Sequence, residues 1–287
     1  MKNHSYNERL QEMRAKKDIL IASHRGSIGV TVIDNTLDSF NLALEQHADI
    51  LEMDIAMSVD GELFVIHDGM ESRLFHITEN VQHLRAEKIR SLEYYTLNHN
   101  LSGVFPNTFD EVLEHFKGKC MLNLDRCWIH PDEKQKWQAV FDAVSRHEME
   151  DQVIFKTVAE PRYAKMFAEI EKPYLYMPMV NCLEELTPFL RDDINMVAAE
   201  VKFRTGKEPL ASPEALRGIQ DKGMYIWGNA LTLGGNDILA AGHDDRTALR
   251  GDPDYGWGYF VKQGYDIVQS DFLSSIVPYY QSKGYRV

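Results

Sequence analysis

Eight short apolar runs rich in β-branched residues alternate along the chain with stretches whose apolar residues recur every three or four positions. The first pattern is typical of buried strands and the second of amphipathic helices. Because alternating strands and helices form βα units around a parallel sheet, eight repeats predict a closed (β/α)8 TIM barrel. The predicted strands cover residues 18–23, 50–57, 119–124, 152–157, 174–180, 196–203, 223–229 and 266–269. The predicted helices cover residues 36–47, 133–148, 161–170, 183–191, 212–222, 256–263 and 273–283.

Two segments in the first half of the chain depart from this rhythm. Asp60-Gly61 lies between two arms of alternating apolar and polar residues, which predicts a β-hairpin above the second strand. Residues 69–107 fit neither pattern, and we expect them to form a small cap inserted over the pocket. Since no linker or low-complexity tract divides the 287 residues, the sequence predicts a single domain over residues 1–287.

The chain is acidic, with 31 basic and 44 acidic side chains and a formal net charge of −13. This charge opposes attraction to nucleic acid or an anionic bilayer, so we expect no nucleic-acid partner and no stable membrane association. No apolar run approaches the roughly 18 residues of a spanning helix. The polar amino-terminal segment lacks the apolar stretch of a secretory signal, which predicts a cytoplasmic protein, or an exported one whose signal has been removed. The sequence assigns no oligomeric state.

Two acidic residues stand two positions apart on the second predicted strand, at Glu52 and Asp54. Successive strand residues point to opposite faces, so these two carboxylates share one face, inside the barrel and near its carboxyl end. Active sites of TIM barrels lie at that end. Two adjacent like charges are unfavourable without a cation, which predicts a divalent metal on oxygen ligands. The alternative is a salt-bridged pair at the end of the strand.

Two histidines are expected at the same rim. His24 ends the first predicted strand, and His67 ends the second arm of the hairpin. With pKa values near neutrality, one imidazole can accept a proton from an attacking hydroxyl while the other protonates a leaving alkoxide. Metal ligation by either histidine is the competing role. Arg25 adds a positive charge beside His24 for an anionic ester.

Five short motifs follow one another in a fixed order: His24-Arg25-Gly26, Asp34-Asn35-Thr36, Glu52-Met53-Asp54, Asp60-Gly61 and His67-Asp68. Each motif is weak alone, but the ordered set resembles the glycerophosphodiester phosphodiesterase family. The resemblance continues at residues 105–113, 226–229 and 268–271 and spans roughly residues 19 to 280.

This resemblance implies a barrel hydrolase that cleaves small-molecule glycerophosphodiesters into an alcohol and sn-glycerol 3-phosphate with one divalent ion, Ca²⁺ or Mg²⁺, in glycerol and lipid metabolism. It implies that His24 and His67 are the acid/base pair and that Arg25 binds the phosphoryl oxygens. It also implies three metal ligands: Glu52, Asp54 and, where the family has a glutamate, Asp125. Attack by water and attack by the substrate's own 2-hydroxyl through a cyclic phosphate both stay open.

The chain departs from the family pattern at two places. The lysine two residues after the third metal ligand falls on Cys127, which carries no positive charge. Glu200 and Lys202 share a face of the sixth predicted strand, so we predict both as substrate-binding residues, with Lys202 as the substitute cation. An exposed ion pair is the alternative. The family's run of arginine, threonine and glycine after His67-Asp68 is also missing.

Two other functions are compatible with the same motifs. A related barrel phospholipase acting on lysophospholipids would use an apolar cap as its entry, and residues 69–107 contain several large apolar side chains. A catalytically silent barrel that binds phosphoesters is the second alternative, which the missing lysine at position 127 favours. The polar run His243-Asp244-Asp245 allows either a second metal cluster or a solvated loop.

Overall fold

The computed structural model describes residues 7–234 and 237–287. Within them, eight parallel strands close into a barrel, because the first strand pairs with both the second and the last. A ninth strand, β3, pairs antiparallel with β2 as the predicted hairpin. The strands are β1 (Leu20–His24), β2 (Ile50–Met57), β3 (Leu63–Val65), β4 (Met121–Asp125), β5 (Val153–Val158), β6 (Leu175–Val180), β7 (Ala198–Val201), β8 (Tyr225–Asn229) and β9 (Ile267–Ser270). The predicted TIM barrel is confirmed.

The first helix precedes β1, and the other helices lie between the strands or after the last one. They are α1 (Glu8–Lys16), α2 (Leu37–Glu45), α3 (Glu71–Leu74), α4 (Ala86–Arg90), α5 (Phe109–Phe116), α6 (Glu133–Arg146), α7 (Pro161–Glu169), α8 (Pro213–Gln220), α9 (Asp245–Leu249), α10 (Trp257–Gln263) and α11 (Leu273–Ser282). Short 3-10 helices cover Val81–His83, Leu183–Phe189 and Pro209–Ala211. None of the helices in the described ranges is long and apolar enough to cross a bilayer.

The helix predicted over residues 183–191 is instead the 3-10 helix Leu183–Phe189. Pro188 lies inside it. Proline has no amide hydrogen, so Pro188 removes one helical hydrogen bond from this segment. The predicted helical segment is therefore present, with Leu186 and Phe189 buried, and it is a 3-10 helix rather than an α-helix.

The barrel interior changes from apolar to polar along its axis. Its floor is an apolar cluster that includes Leu20, Ile50, Met177 and Trp227, and Leu10 of α1 packs against it from the amino-terminal end. The sequence analysis did not predict α1, because a nine-residue polar helix with one fully buried apolar residue has little periodicity. Strand residues toward the carboxyl ends point polar groups into the same space. The apolar floor therefore closes the barrel at the amino-terminal ends of the strands, and the polar residues lie at the carboxyl ends.

The inserted segment between β3 and α5 contains α3, α4 and the 3-10 helix Val81–His83. It has its own apolar cluster, in which Phe75 and Tyr94 pack with Phe64 of the hairpin. The segment therefore lies on the β2–β3 hairpin, next to the carboxyl ends of β1 and β2.

Gly26 is required by a close approach of two backbones. Its φ of +81° is in the left-handed region, and a Cβ there would lie 2.6 Å from the carbonyl carbon of Ser39 in α2. We expect Gly26→Ala to lower the free energy of unfolding by about 1–3 kcal/mol more than Gly118→Ala does. Gly118 is the matched control, since its φ is +78° and nothing lies within 4 Å of its added Cβ. Urea unfolding measures both, and equal losses would contradict the clash.

Candidate active site

His24 lies where the barrel closes. The register that pairs Ser23 with Ser270 brings His24 beside Asp271, and His24 Nδ1 is 2.8 Å from Asp271 Oδ1. Burial opposes a charge on the ring, but the hydrogen bond to Asp271 and the negative charge of Glu52 outweigh it and raise the pKa of His24. The pairing fixes the ring orientation and favours the imidazolium. The sequence analysis gave Asp271 no role, although it lies in one of the fragments that carry the resemblance.

Asp271 is held in turn by Asp245, the last residue of the polar run at 243–245. Asp245 is fully buried, and its Oδ2 accepts a hydrogen bond of 3.0 Å from the backbone N–H of Asp271. Its Oδ1 accepts bonds of 2.7 Å from both Trp257 Nε1 and Ser270 Oγ. Burial raises the pKa of Asp245 to about 7. This carboxylate is therefore not part of a solvated loop, and it lies outside the candidate metal-binding group found among the described residues. It orients Asp271, which in turn orients His24.

Arg25 is fixed by the Asp34-Asn35-Thr36 motif together with β2. Arg25 Nε lies 2.8 Å from Asp54 Oδ2, and Asn35 Nδ2 donates to the same oxygen at 2.9 Å. Thr36 is the N-cap of α2, with its hydroxyl accepting from the Ser39 N–H. Because Thr36 is the cap, the Asn35 side chain is available to hold Asp54.

Three carboxylates meet at the centre of the barrel mouth. The register places Asp54 beside Asp125, and Glu52 lies two residues before Asp54 on the same face. Ligand oxygens of Glu52, Asp54 and Asp125 all lie within 4.8 Å of one another. Burial, opposed by Lys156 and assisted by the charge of Asp54, raises the pKa of Glu52 to about 7. Such a set of carboxylate oxygens fits a hard divalent ion such as Ca²⁺ or Mg²⁺.

Lys156 of β5 is a cation at this centre that the sequence analysis missed. Its Nζ lies 2.6 Å from Asp125 Oδ2, 3.4 Å from Glu200 Oε2 and 3.7 Å from Glu52 Oε1. Burial disfavours its charge, but the three carboxylates outweigh burial and hold the pKa of Lys156 above its ordinary value. The signal that could have identified it is a lysine within a strand that is otherwise mostly apolar.

The remaining predicted residues lie in different places. Glu200 is buried in the barrel, where its Oε1 accepts a 2.8 Å hydrogen bond from Asn229. Lys202 follows the end of β7 and lines another cavity, of about 190 Å³, together with Asp237. The structure therefore does not bring Lys202 to the carboxylates, and its substrate-binding role stays a prediction. Cys127 is buried in the apolar layer between strands and helices, because the chain turns at Arg126, whose φ is +62°.

His67 follows the hairpin strand β3. The N–H of Ile66 donates to the backbone oxygen of Asp54, and His67 Nδ1 lies 2.8 Å from the backbone oxygen of Asp68. Burial is the largest cause of the lowered pKa of His67, and the positive charges of Arg25 and Arg126 act in the same direction. The two histidines are therefore shifted in opposite directions, as in sites where one group is an acid and the other a base.

A cavity of about 240 Å³ opens between the barrel mouth and the inserted segment. His24, Arg25 and Asp271 line one side of it, and Arg73, Tyr95 and Leu97 line the other. Arg73 donates two hydrogen bonds to Asp34, of 3.0 and 2.8 Å. A molecule bound against His24 would therefore extend toward a surface in which Asp34 and Arg73 are already paired.

Two family models match the chain. A model described as the glycerophosphoryl diester phosphodiesterase family matches residues 24–225. A second model, described as a domain of unknown function, matches residues 176–280. The first range contains both histidines, the three carboxylates and Lys156, whereas Asp245 and Asp271 lie in the second.

Known proteins agree with the first model. The chain is 28% identical to a glycerophosphodiester phosphodiesterase of Haemophilus influenzae over 175 aligned residues. The alignment covers 60% of this chain. The aligned part spans 44% of that relative, less than half of its length. A solved glycerophosphoryl diester phosphodiesterase of Parabacteroides distasonis has a TM-score of 0.74 at 17% identity, over 96% of this chain and 92% of that one. An Oleispira antarctica phosphodiesterase, solved with the product sn-glycerol-3-phosphate, has a TM-score of 0.65 at 17% identity. The superposition covers 90% of this chain and 96% of that one.

Proposed function

Since this chain belongs to the glycerophosphoryl diester phosphodiesterase family, we propose that it hydrolyses small-molecule glycerophosphodiesters to an alcohol and sn-glycerol 3-phosphate. The main support is the meeting of Glu52, Asp54 and Asp125 at one barrel mouth, with Arg25 ion-paired to Asp54 and His24 beside Glu52 in the sheet. The product in the Oleispira antarctica complex supports the same reaction.

Each residue has a role that its surroundings favour. Arg25 binds a phosphoryl oxygen, since its guanidinium lines the cavity next to His24. Glu52, Asp54 and Asp125 would hold one Ca²⁺ or Mg²⁺, which when bound neutralises charge on a nonbridging phosphate oxygen. His67, whose lowered pKa favours the neutral ring, accepts the proton of the attacking hydroxyl. His24, whose raised pKa favours the imidazolium, protonates the leaving alkoxide. The attacking hydroxyl is water or the substrate's own 2-hydroxyl.

The opposite shifts predict a bell-shaped dependence of kcat/KM on pH. Activity is lost as the pH falls through the pKa of His67, because the base becomes protonated, and as the pH rises through the pKa of His24, because the acid loses its proton. Asp271→Asn removes a carboxylate that raises the pKa of His24. We therefore expect this variant to move the alkaline limb to lower pH and to leave the acid limb in place. An unchanged alkaline limb would contradict the role of His24 as the acid.

The reaction is tested with glycerophosphocholine and glycerophosphoethanolamine. Release of sn-glycerol 3-phosphate is followed with and without Ca²⁺ or Mg²⁺, and after chelation with EDTA. We expect turnover that requires a divalent ion. Tight binding of these diesters without turnover, across both metals, would instead favour the silent phosphoester-binding barrel.

The cavity favours lysophospholipids as a second candidate substrate class. Ile28 and Leu97 line it with 46% and 54% of their surface exposed, so part of the cavity wall is apolar. An acyl chain on the substrate could cover them. The ratio of kcat/KM for lysophosphatidylcholine to that for glycerophosphocholine separates the candidates. A ratio above one that Leu97→Ser lowers would support the phospholipase.

A further inference from the structure

The ammonium group of Lys156 touches two of the proposed metal ligands. It is 2.6 Å from Asp125 Oδ2 and 3.7 Å from Glu52 Oε1, and it is also 3.4 Å from Glu200 Oε2. The residue is 4% exposed, so these oxygens replace water around its charge. The three carboxylates form an ionic environment around the ammonium, with Asp125 closest.

We propose that Lys156 is the resident counter-ion of this carboxylate cluster: it holds Glu52 and Asp125 together when no divalent ion is bound, and its positive charge weakens their affinity for that ion. The inference rests on the metal site of the proposed function. It follows from Coulomb's law, since two positive charges that share the same carboxylates repel each other. At a separation of about 4 Å and an effective dielectric constant of about 20, that repulsion exceeds a tenfold effect on affinity.

A direct contact with the substrate phosphate is the competing role for Lys156, and the geometry disfavours it. Arg25 lines the cavity beside His24. The Lys156 ammonium is instead surrounded by carboxylates, at 2.6 Å from Asp125, 3.4 Å from Glu200 and 3.7 Å from Glu52. Arg25 is therefore the better placed cation for a phosphoryl oxygen.

The test measures binding of Ca²⁺ alone and of Mg²⁺ alone by calorimetry. We expect Lys156→Met to bind the ion at least tenfold more tightly than the wild type, and the metal-free variant to melt at a lower temperature that the ion restores. Lys165→Met is the control, because Lys165 is exposed on α7 and pairs with Glu169. Lys156→Arg keeps the charge and should keep the wild-type affinity. An affinity for the ion that Lys156→Met leaves unchanged or weakens would overturn the inference.

A second pair of variants covers the case in which Lys156→Met does not fold. Glu200→Gln and Lys156→Met/Glu200→Gln differ by the lysine alone, and the double variant loses one charge of each sign. We expect the double variant to bind the ion at least tenfold more tightly than Glu200→Gln. If the lysine instead contacts the phosphate, its removal would weaken binding of sn-glycerol 3-phosphate and leave metal affinity unchanged, which overturns the inference.

Failure of this inference and failure of the proposed function give different results. If the wild type binds the ion and turns over diesters while loss of Lys156 does not tighten metal binding, the inference alone fails. If no diester is turned over but Lys156→Met binds the ion more tightly than the wild type, the proposed reaction fails and the counter-ion role stands. If neither protein binds an ion, both fail.

Discussion

Replacing His67 or His24 with alanine is expected to lower turnover of glycerophosphocholine by about 10²- to 10⁴-fold, the contribution typical of a positioned general acid or base. The reason is that both proton transfers occur at poorly reactive groups, a neutral hydroxyl and an alkoxide leaving group. His83→Ala is the control, since His83 is exposed on the inserted segment. Steady-state kinetics at the pH optimum measures all three variants.

The two histidines can be told apart by the leaving group. A p-nitrophenyl diester of glycerol phosphate releases an anion that needs no proton, so loss of the acid should matter little with this substrate. We expect His24→Ala to recover most of its activity on the nitrophenyl ester and His67→Ala to stay inactive. Full activity of either variant on glycerophosphocholine would remove its assigned role, and recovery by His67→Ala alone would exchange the two roles.

Glu52→Gln is expected to lower the affinity for Ca²⁺ or Mg²⁺ by at least about 100-fold and to abolish turnover with it. Partners that only orient a metal ligand cost about 10- to 100-fold when they are lost, so a direct ligand should cost more. Glutamine keeps the volume of the side chain and removes its negative charge. Calorimetry measures the affinity, and metal-dependent turnover is measured on the same preparation.

We expect Glu52→Gln to lose metal affinity because a ligand is removed, not because the fold is destabilised. Burial raises the pKa of Glu52 to about 7 in the metal-free protein, above its ordinary value of 4.5. The folded state therefore binds more protons than the unfolded state in that range, and the carboxylate makes the fold less stable as the pH rises from 4.5 toward 7. Glu52→Gln removes this pH dependence, so the stability of the metal-free variant should fall less than that of the wild type as the pH rises from 4.5 toward 7.

Asp49→Asn is the matched control for Glu52→Gln. Asp49 directly precedes β2 at the opposite end of the barrel, where its Oδ1 pairs with Lys17 at 2.6 Å and its Oδ2 accepts from the Ile21 N–H at 2.9 Å. Its replacement should leave metal affinity unchanged, because Asp49 lies far from the carboxylate cluster along β2. If Glu52→Gln bound the ion as tightly as Asp49→Asn does, the three-carboxylate site would be wrong.

The strands and the carboxylate pair were predictable because their signals are local. A strand has a period of two residues, so the positions of Glu52 and Asp54 on one face follow from their spacing alone. The eight predicted strands agree with the barrel strands to within a few residues, since each is a short apolar run bounded by polar residues. The helical segment predicted over residues 183–191 is present as the 3-10 helix Leu183–Phe189, because apolar spacing reports the buried face and not the hydrogen-bond pattern.

The partners of the site residues were not predictable in this way. Lys156 meets Asp125 because β5 pairs with β4 in one register, and His24 meets Asp271 because the last strand closes on the first, 247 residues away. Cys127 lies outside the site because Arg126, just after the end of β4, has a left-handed backbone conformation. None of these three positions can be predicted from the spacing of residues within one segment.

The sequence by itself determined the barrel, the order of its motifs and the side of β2 that carries the carboxylates, since strand and helix periodicity depend on neighbouring residues alone. The tertiary structure decided which charges meet: Lys156 with the carboxylates, Asp271 with His24, and Asp245 with Asp271. The physical reason is that a pKa and a metal affinity depend on charges a few ångströms away in space, and those charges come from strands and loops far apart in the chain.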